Sequence, residues 1–142
     1  VVPDDLDGLG GLLTYPLVKQ LYFSVESEVL LGHGDAHIAA QAEEAVRAFS
    51  DPSAAEWAYG DAAGSQCNLS LVRLYSGDVD GAAAAIRPVL DLAPSLRTNG
   101  IVVSAQRVRA ALTRGPARDA VVARGLRAEI AMYERSRPAL PQ

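Results

Sequence analysis

An all-α fold is the class this sequence predicts, and three observations carry it. Ala, Leu and Val supply most of the apolar residues, while aromatic residues are only 6% of the 142; runs of the kind that mark strands are scarce. Apolar side chains recur at three- and four-residue spacing over long stretches, the period of an amphipathic helix. Glycine, proline and aspartate fall between those stretches, where helices end and begin. Hydrophobic residues make up 49% of the chain, enough for the core of one domain, and the length suits one domain rather than two.

Residues 1–14, with Asp4, Asp5, Asp7 and Gly8, Gly10, Gly11, read as a flexible lead-in. Residues 15–136 read as the helical domain, and 137–142 as a tail containing Pro138 and Pro141. After Pro16 a helical pattern starts: Leu17, Leu21, Val25 and Val29 repeat every fourth residue, Leu31 ends the run, and Gly32 and Gly34 stop it. Asp35 is the expected N-cap of a second helix reaching Phe49, with Ile38, Ala42, Ala45 and Val46 inward and Glu43, Glu44 and Arg47 outward. Ser53-Ala54-Ala55-Glu56 has the form of a capping box, so a third helix is expected to start there with Trp57 in its first turns. Gly60 and Gly64 each weaken that helix by about 1 kcal/mol relative to alanine, which leaves its continuity there open before the pattern resumes at Leu69, Val72 and Tyr75.

Asp78 is expected to cap a fourth helix burying Ala82, Ala83, Ile86, Val89 and Leu90, with Pro88 bending it. A fifth, roughly 97–113, carries Ile101, Ala105, Val108 and Leu112 as its apolar stripe. Gly115-Pro116 breaks it. A sixth, roughly 117–135, is expected to bury Val121, Val122, Leu126, Ile130 and Tyr133. The prediction is therefore about six helices arranged as three stacked antiparallel hairpins.

Charge is unevenly spread. Residues 1–96 carry four basic against fourteen acidic side chains, a balance of −10, whereas residues 97–142 carry nine arginines against Asp119, Glu129 and Glu134, a balance of +6. Oppositely charged ends attract each other or different partners. No apolar run approaches the ~20 residues of a membrane span, and the acidic, glycine-rich start lacks the basic and apolar regions of a signal peptide. The single cysteine, Cys67, cannot form an internal disulfide, which fits a cytoplasmic, reducing setting. The chain opens Val1-Val2-Pro3 without a methionine, the start expected of a fragment or a trimmed chain.

Gly34-Asp35, Gly77-Asp78 and Gly115-Pro116 sit between helices at spacings of about forty residues, within the range of helix-pair repeats. A small residue follows each glycine at the fifth position (Ala39, Ala82, Ala120), and seven positions later come Val46, Val89 and Arg127. In the middle unit, residues 63–94, Gly77-Asp78, Ala82, Ile86, Val89 and Pro94 resemble the turn, packing alanine, apolar positions and terminal proline of a tetratricopeptide repeat. The first and third units share the turn and the alanine, but Glu43 and Arg124 replace an apolar position, and the family's early aromatic and Leu-Gly signature is absent. "LVRLYSGDVDGAAAAIRPVLDLAP" and "SAQRVRAALTRGPARDAVVARGL" also resemble the degenerate tetratricopeptide-like C-terminal halves of actinobacterial helix-turn-helix transcriptional regulators. That resemblance implies a module that dimerises or senses a peptide or small effector, with DNA contacted only through a missing N-terminal domain.

The residues offer little for catalysis. His33 and His37 stand four apart, but Gly32 and Gly34 put His33 in the turn, and no third metal ligand is near. Cys67 has no histidine beside it to act as a base. Gly8-Leu9-Gly10-Gly11 lacks the Lys-Ser/Thr and the preceding strand of a phosphate loop. The C-terminal arginines, including Arg107, Arg109, Arg114, Arg118, Arg124 and Arg127, lack the aromatic neighbours of a single-strand binder and read as a solvated basic face or a docking surface for acid. No cofactor is expected.

In a tetratricopeptide-like stack the first helices of successive hairpins line a concave face that holds peptides. Matching the turn glycines places Ser24 and Glu28, then Asn68 and Leu71, then Gln106 and Arg109, on that face. Three readings follow: a dimerising or sensing module of a transcriptional regulator, a free-standing adaptor that binds a protein, and a helical-bundle enzyme, the last opposed by the lack of a convergent titratable cluster. Self-association favours the first. A deep apolar pocket favours a small-molecule sensor, and an open polar groove favours a peptide adaptor.

Overall fold

The structure, a computed structural model, describes residues 15–49 and 59–136. They form six α-helices: α1 (Tyr15–Leu30), α2 (Ala36–Phe49), α3 (Tyr59–Tyr75), α4 (Val79–Leu90), α5 (Asn99–Leu112) and α6 (Val121–Arg135). A single 3-10 turn, Pro94–Leu96, lies between α4 and α5. The helices pair as three hairpins that stack in chain order. α3 is the hub, packed against α1, α2, α4 and α5, while α4 and α5 both meet α6. The expected capping box at Ser53–Glu56, Trp57, the lead-in 1–14 and the tail 137–142 lie outside the described residues.

One continuous core runs through the stack. Val25 and Val29 of α1, Val72 of α3, Ile86 and Val89 of α4, Val108 of α5 and Ile130 of α6 are all essentially inaccessible. Each buried apolar side chain of that size contributes roughly 1.5–3 kcal/mol. A smaller cluster joins Tyr22 to Phe49, edge to face at 6.1 Å between ring centroids.

Among the described glycines, Gly32, Gly77 and Gly115 have left-handed backbone, at φ of 83°, 85° and 84°. The first turn is therefore centred on Gly32, not on Gly34 as the dipeptide spacing suggested. Both of the first two turns close as Schellman motifs. His33 N donates to Glu28 O at 3.0 Å and Gly32 N to Val29 O at 2.9 Å; Asp78 N donates to Arg73 O at 2.8 Å and Gly77 N to Leu74 O at 3.0 Å. Asp35 and Asp78 then cap the next helices as expected, accepting from Ile38 N at 2.9 Å and Gly81 N at 2.8 Å. Gly34 has a different task. A Cβ built there would stand 2.6 Å from Tyr75 Cβ and 3.2 Å from Val72 O, so the glycine lets the first turn lie against α3.

The third turn cannot copy this pattern, because Pro116 follows Gly115 and has no N–H to donate. The guanidinium of Arg127 caps this helix end instead, its Nη1 meeting Leu112 O and Arg118 O, each at 2.7 Å. The arginine that breaks the apolar repeat at position 127 thus ties α5, the turn and α6 together.

The structure adds local detail to the sequence pattern and in places departs from it. α3 runs unbroken through Gly60 and Gly64, because the packing of its neighbours outweighs two unfavourable propensities. Gly64 is the point of closest approach to α1: a Cβ there would lie 2.5 Å from the Tyr22 hydroxyl. α4 continues through Pro88 to Leu90. α5 starts later than the pattern suggested, with Thr98 as its N-cap accepting from Ile101 N at 3.3 Å. α6 begins at Val121 rather than 117, so Ala123, Leu126, Ile130 and Tyr133 point inward. Val121 and Val122, expected in the core, are 75% and 42% exposed. Ala120 is an exposed N-cap and Ala39 is half-buried, so the fully packed small residues are Ala42, Ala82 and Ala123. The fixed offset from the turn glycine holds only in the middle hairpin.

Candidate binding surfaces

Of the six residues expected on a concave peptide face, two are buried and two meet on a single carboxylate. Ser24 is exposed on α1. Glu28 Oε2 lies 2.5 Å from His33 Nδ1 and accepts from it, which ties both side chains to the first turn. Leu71 is 3% exposed and belongs to the core, because α3 is covered from four sides. Asn68 is also buried, and its Nδ2, like Ser65 Oγ three residues earlier, has no hydrogen-bond partner among the described residues. Gln106 and Arg109 share one acceptor: Gln106 Nε2 lies 2.9 Å, and Arg109 Nε 2.5 Å, from the Glu134 carboxylate. Burial works to raise the Glu134 pKa, but the bonds from Arg109 and Gln106 outweigh it and hold the carboxyl below its ordinary value.

A polar arch crosses the face where a peptide groove was expected. Arg107 of α5 donates from Nη1 to Glu26 Oε1 of α1 at 2.9 Å, and the Tyr22 hydroxyl lies 3.5 Å from the same oxygen. Lys19 pairs with Asp61 at 2.6 Å and lies 5.1 Å from the centre of the Phe23 ring. Cys67 is 1% exposed. Burial pushes its thiol up to about 12, with the nearby positive charge of Arg107 opposing that shift. Burial, then the Glu26 carboxylate, also raises the Tyr22 phenol. Both groups are held in their protonated forms, which suits packing and not nucleophilic attack.

A concavity lies at the turn edge of the stack. It has a volume of about 290 Å³ and is bounded by the three turn glycines, Gly32, Gly77 and Gly115, together with Leu74, Val79 and Leu112. Glycine and alanine at its walls leave the space unfilled: a Cβ on any of the three glycines would meet nothing within 4 Å. Arg114 and Arg118 stand at its margin, and no acidic side chain lines it. Sequence reasoning missed this site. The signal was present as three turn glycines that stacking brings to one edge, with two arginines flanking the last.

The two ends of the stack are apolar and differ in charge. On α1, Phe23, Leu30 and Leu31 are 51%, 59% and 71% exposed; Phe23, Ser27, Leu30 and Leu31 share one helical stripe. Exposed Glu43 and Glu44 lie on α2 of the same hairpin. On α6 the stripe Val121, Gly125, Ala128 and Met132 is exposed, with Arg124 and Arg135 beside it. The other C-terminal arginines are partly spent on the fold. Arg107 and Arg109 pair with glutamates, and Arg97 stacks 4.2 Å over Tyr133; from outside that segment, Arg87 pairs with Glu129 of α6 and with Asp91 at 3.2 Å. The basic face expected over residues 97–142 is correspondingly smaller.

These features define an all-α stack of helix hairpins with apolar ends and one edge cavity. No family model, curated protein or solved structure matches the chain. Among the described residues no three of His, Cys, Asp and Glu are placed to hold a metal ion, and no helix is long and apolar enough to cross a membrane.

Proposed function

We propose that this chain is an interaction and sensing module, of the kind that forms the C-terminal half of a helix-turn-helix transcriptional regulator, and that it acts through self-association. The observation that carries this reading is the pair of exposed apolar stripes on the terminal helices, Phe23 to Leu31 on α1 and Val121 to Met132 on α6. Solvent-exposed apolar residues gathered on one helix face mark a surface built for contact. The hairpins that bear the stripes also carry exposed charges of opposite sign, Glu43 and Glu44 in the first and Arg124 and Arg135 on α6. A head-to-tail contact between copies, α6 of one against the first hairpin of the next, satisfies both the apolar and the ionic complement. In a regulator such contact couples two DNA-reading domains.

Sedimentation velocity over a hundredfold range of concentration tests the proposal. The expected result is a rise in mass with concentration that weakens at high salt and disappears in Met132→Glu. A monomer at every concentration would refute it.

A further inference from the structure

We infer that the turn-edge cavity is a binding site for a small apolar carboxylic acid, the effector of the sensing module proposed above. The cavity and that reading share a molecule but rest on different residues. Its volume of about 290 Å³ lies at the lower end of small-ligand sites, too small for a folded partner or a run of peptide. Its walls are hydrocarbon: Leu74, Val79, Leu112 and Ala123 present only carbon to the space.

The charge at the mouth chooses the ligand. Arg114 is exposed, and while its backbone N–H donates to Ala111 O at 3.2 Å, its side chain makes no hydrogen bond or ion pair among the described residues. Arg118 uses one nitrogen to bond Gly115 O at 3.1 Å, which leaves the remaining donors of its guanidinium for a ligand. The Arg127 bond to Arg118 O fixes the backbone that carries this side chain. Asp119 lies in the adjoining groove with Thr113, Arg118 and Arg127, so the local balance, with Arg114 counted, stays at two positive charges in excess. Two guanidinium groups beside an apolar cavity match a carboxylate on a hydrocarbon body, since the planar fork of arginine binds carboxylate in two-point fashion. A neutral apolar molecule would leave both arginines unanswered.

The cavity also sits where binding can be felt by the whole stack. Gly32, Gly77 and Gly115 belong to all three hairpins, so an occupant touches each turn at once. A ligand bound there stabilises the relative placement of the hairpins by its own binding free energy.

The test uses the full chain, octanoate and phenylacetate as probes, and octanol as the neutral control, with binding read by calorimetry and by chemical-shift changes at Gly77 and Gly115. The expected result is saturable binding of a carboxylate, at least about tenfold weaker for octanol and for Arg114→Met or Arg118→Met, the loss of a charge-assisted contact. Ala117→Phe, which fills the cavity from the loop, is expected to abolish binding while circular dichroism stays unchanged. No carboxylate binding to the wild-type chain, or equal affinity for octanol, overturns the proposal; this comparison needs no variant and stands if a substitution unfolds the protein. Self-association is measured on the same samples. Association without carboxylate binding removes the effector site alone, and carboxylate binding by a strict monomer removes the self-association reading alone.

Discussion

Arg107 on the fifth helix reaches Glu26 on the first over 2.9 Å, although the helix between them in the stack is the third. The contact joins the acidic part of the sequence to the basic part inside one molecule. Both side chains remain in part accessible, at 40% and 20%, so the energy is modest. A double-mutant cycle of Glu26→Gln and Arg107→Met is expected to give a coupling of about 0.2–1 kcal/mol that shrinks as salt is added. A coupling insensitive to salt would mean that the pair acts through packing.

The third turn is held by the Arg127 guanidinium. Arg127→Met keeps most of the side chain's length and removes the bonds to Leu112 O and Arg118 O. Chemical denaturation should show a loss of about 1–3 kcal/mol. A change below a few tenths would mean that water caps α5 equally well.

Gly34→Ala should cost about 1–3 kcal/mol, because its Cβ would be driven onto Tyr75 Cβ and the Val72 carbonyl, neither of which is a flexible tip. Gly64→Ala meets instead the Tyr22 hydroxyl, the far end of a side chain that can swing aside, and should cost less. Thermal unfolding of the two variants side by side ranks them; the reverse order would contradict the packing described for the first turn.

The Glu134 carboxyl titrates below its unfolded-state value. Its contribution to stability is therefore complete above about pH 4.5, the unfolded value, and is lost as pH falls through the folded one. The melting temperature should drop on acidification below that point, and Glu134→Gln should flatten part of the drop. An unchanged slope in the variant would remove Glu134 from the acid response.

Cys67, with its thiol buried and pushed up to about 12, should resist a thiol reagent at pH 8 in the native protein and react at once in denaturant. Fast labelling of the native chain would show that α3 opens on that timescale.

The helices were legible in the sequence because each carries its own period and its own stop. Asp35 and Asp78 cap as their chemistry requires, and Gly77 turns as only glycine does cheaply. What the sequence hid was set by contacts between distant segments. Gly60 and Gly64 look like breaks, yet α3 is continuous because four helices pack around it. Val121 and Val122 look like core, yet Pro116 delays the helix and turns them outward. Two residues expected on the peptide face were misplaced for the same reason: matching turn glycines gave Leu71 and Asn68 positions on a surface, and the stack buried them. The edge cavity had no local pattern at all, since its walls come from three turns more than eighty residues apart at their extremes.

The most direct test of the proposed association is a cross-link between copies. In a Cys67→Ala background, one chain carrying Leu30→Cys is mixed with another carrying Met132→Cys and oxidised. A head-to-tail contact between α1 and α6 predicts that the mixed disulfide forms well ahead of either homodimer, and that added salt slows it. Equal yields of the three products, or no product at concentrations where mass is seen to rise, would contradict that contact.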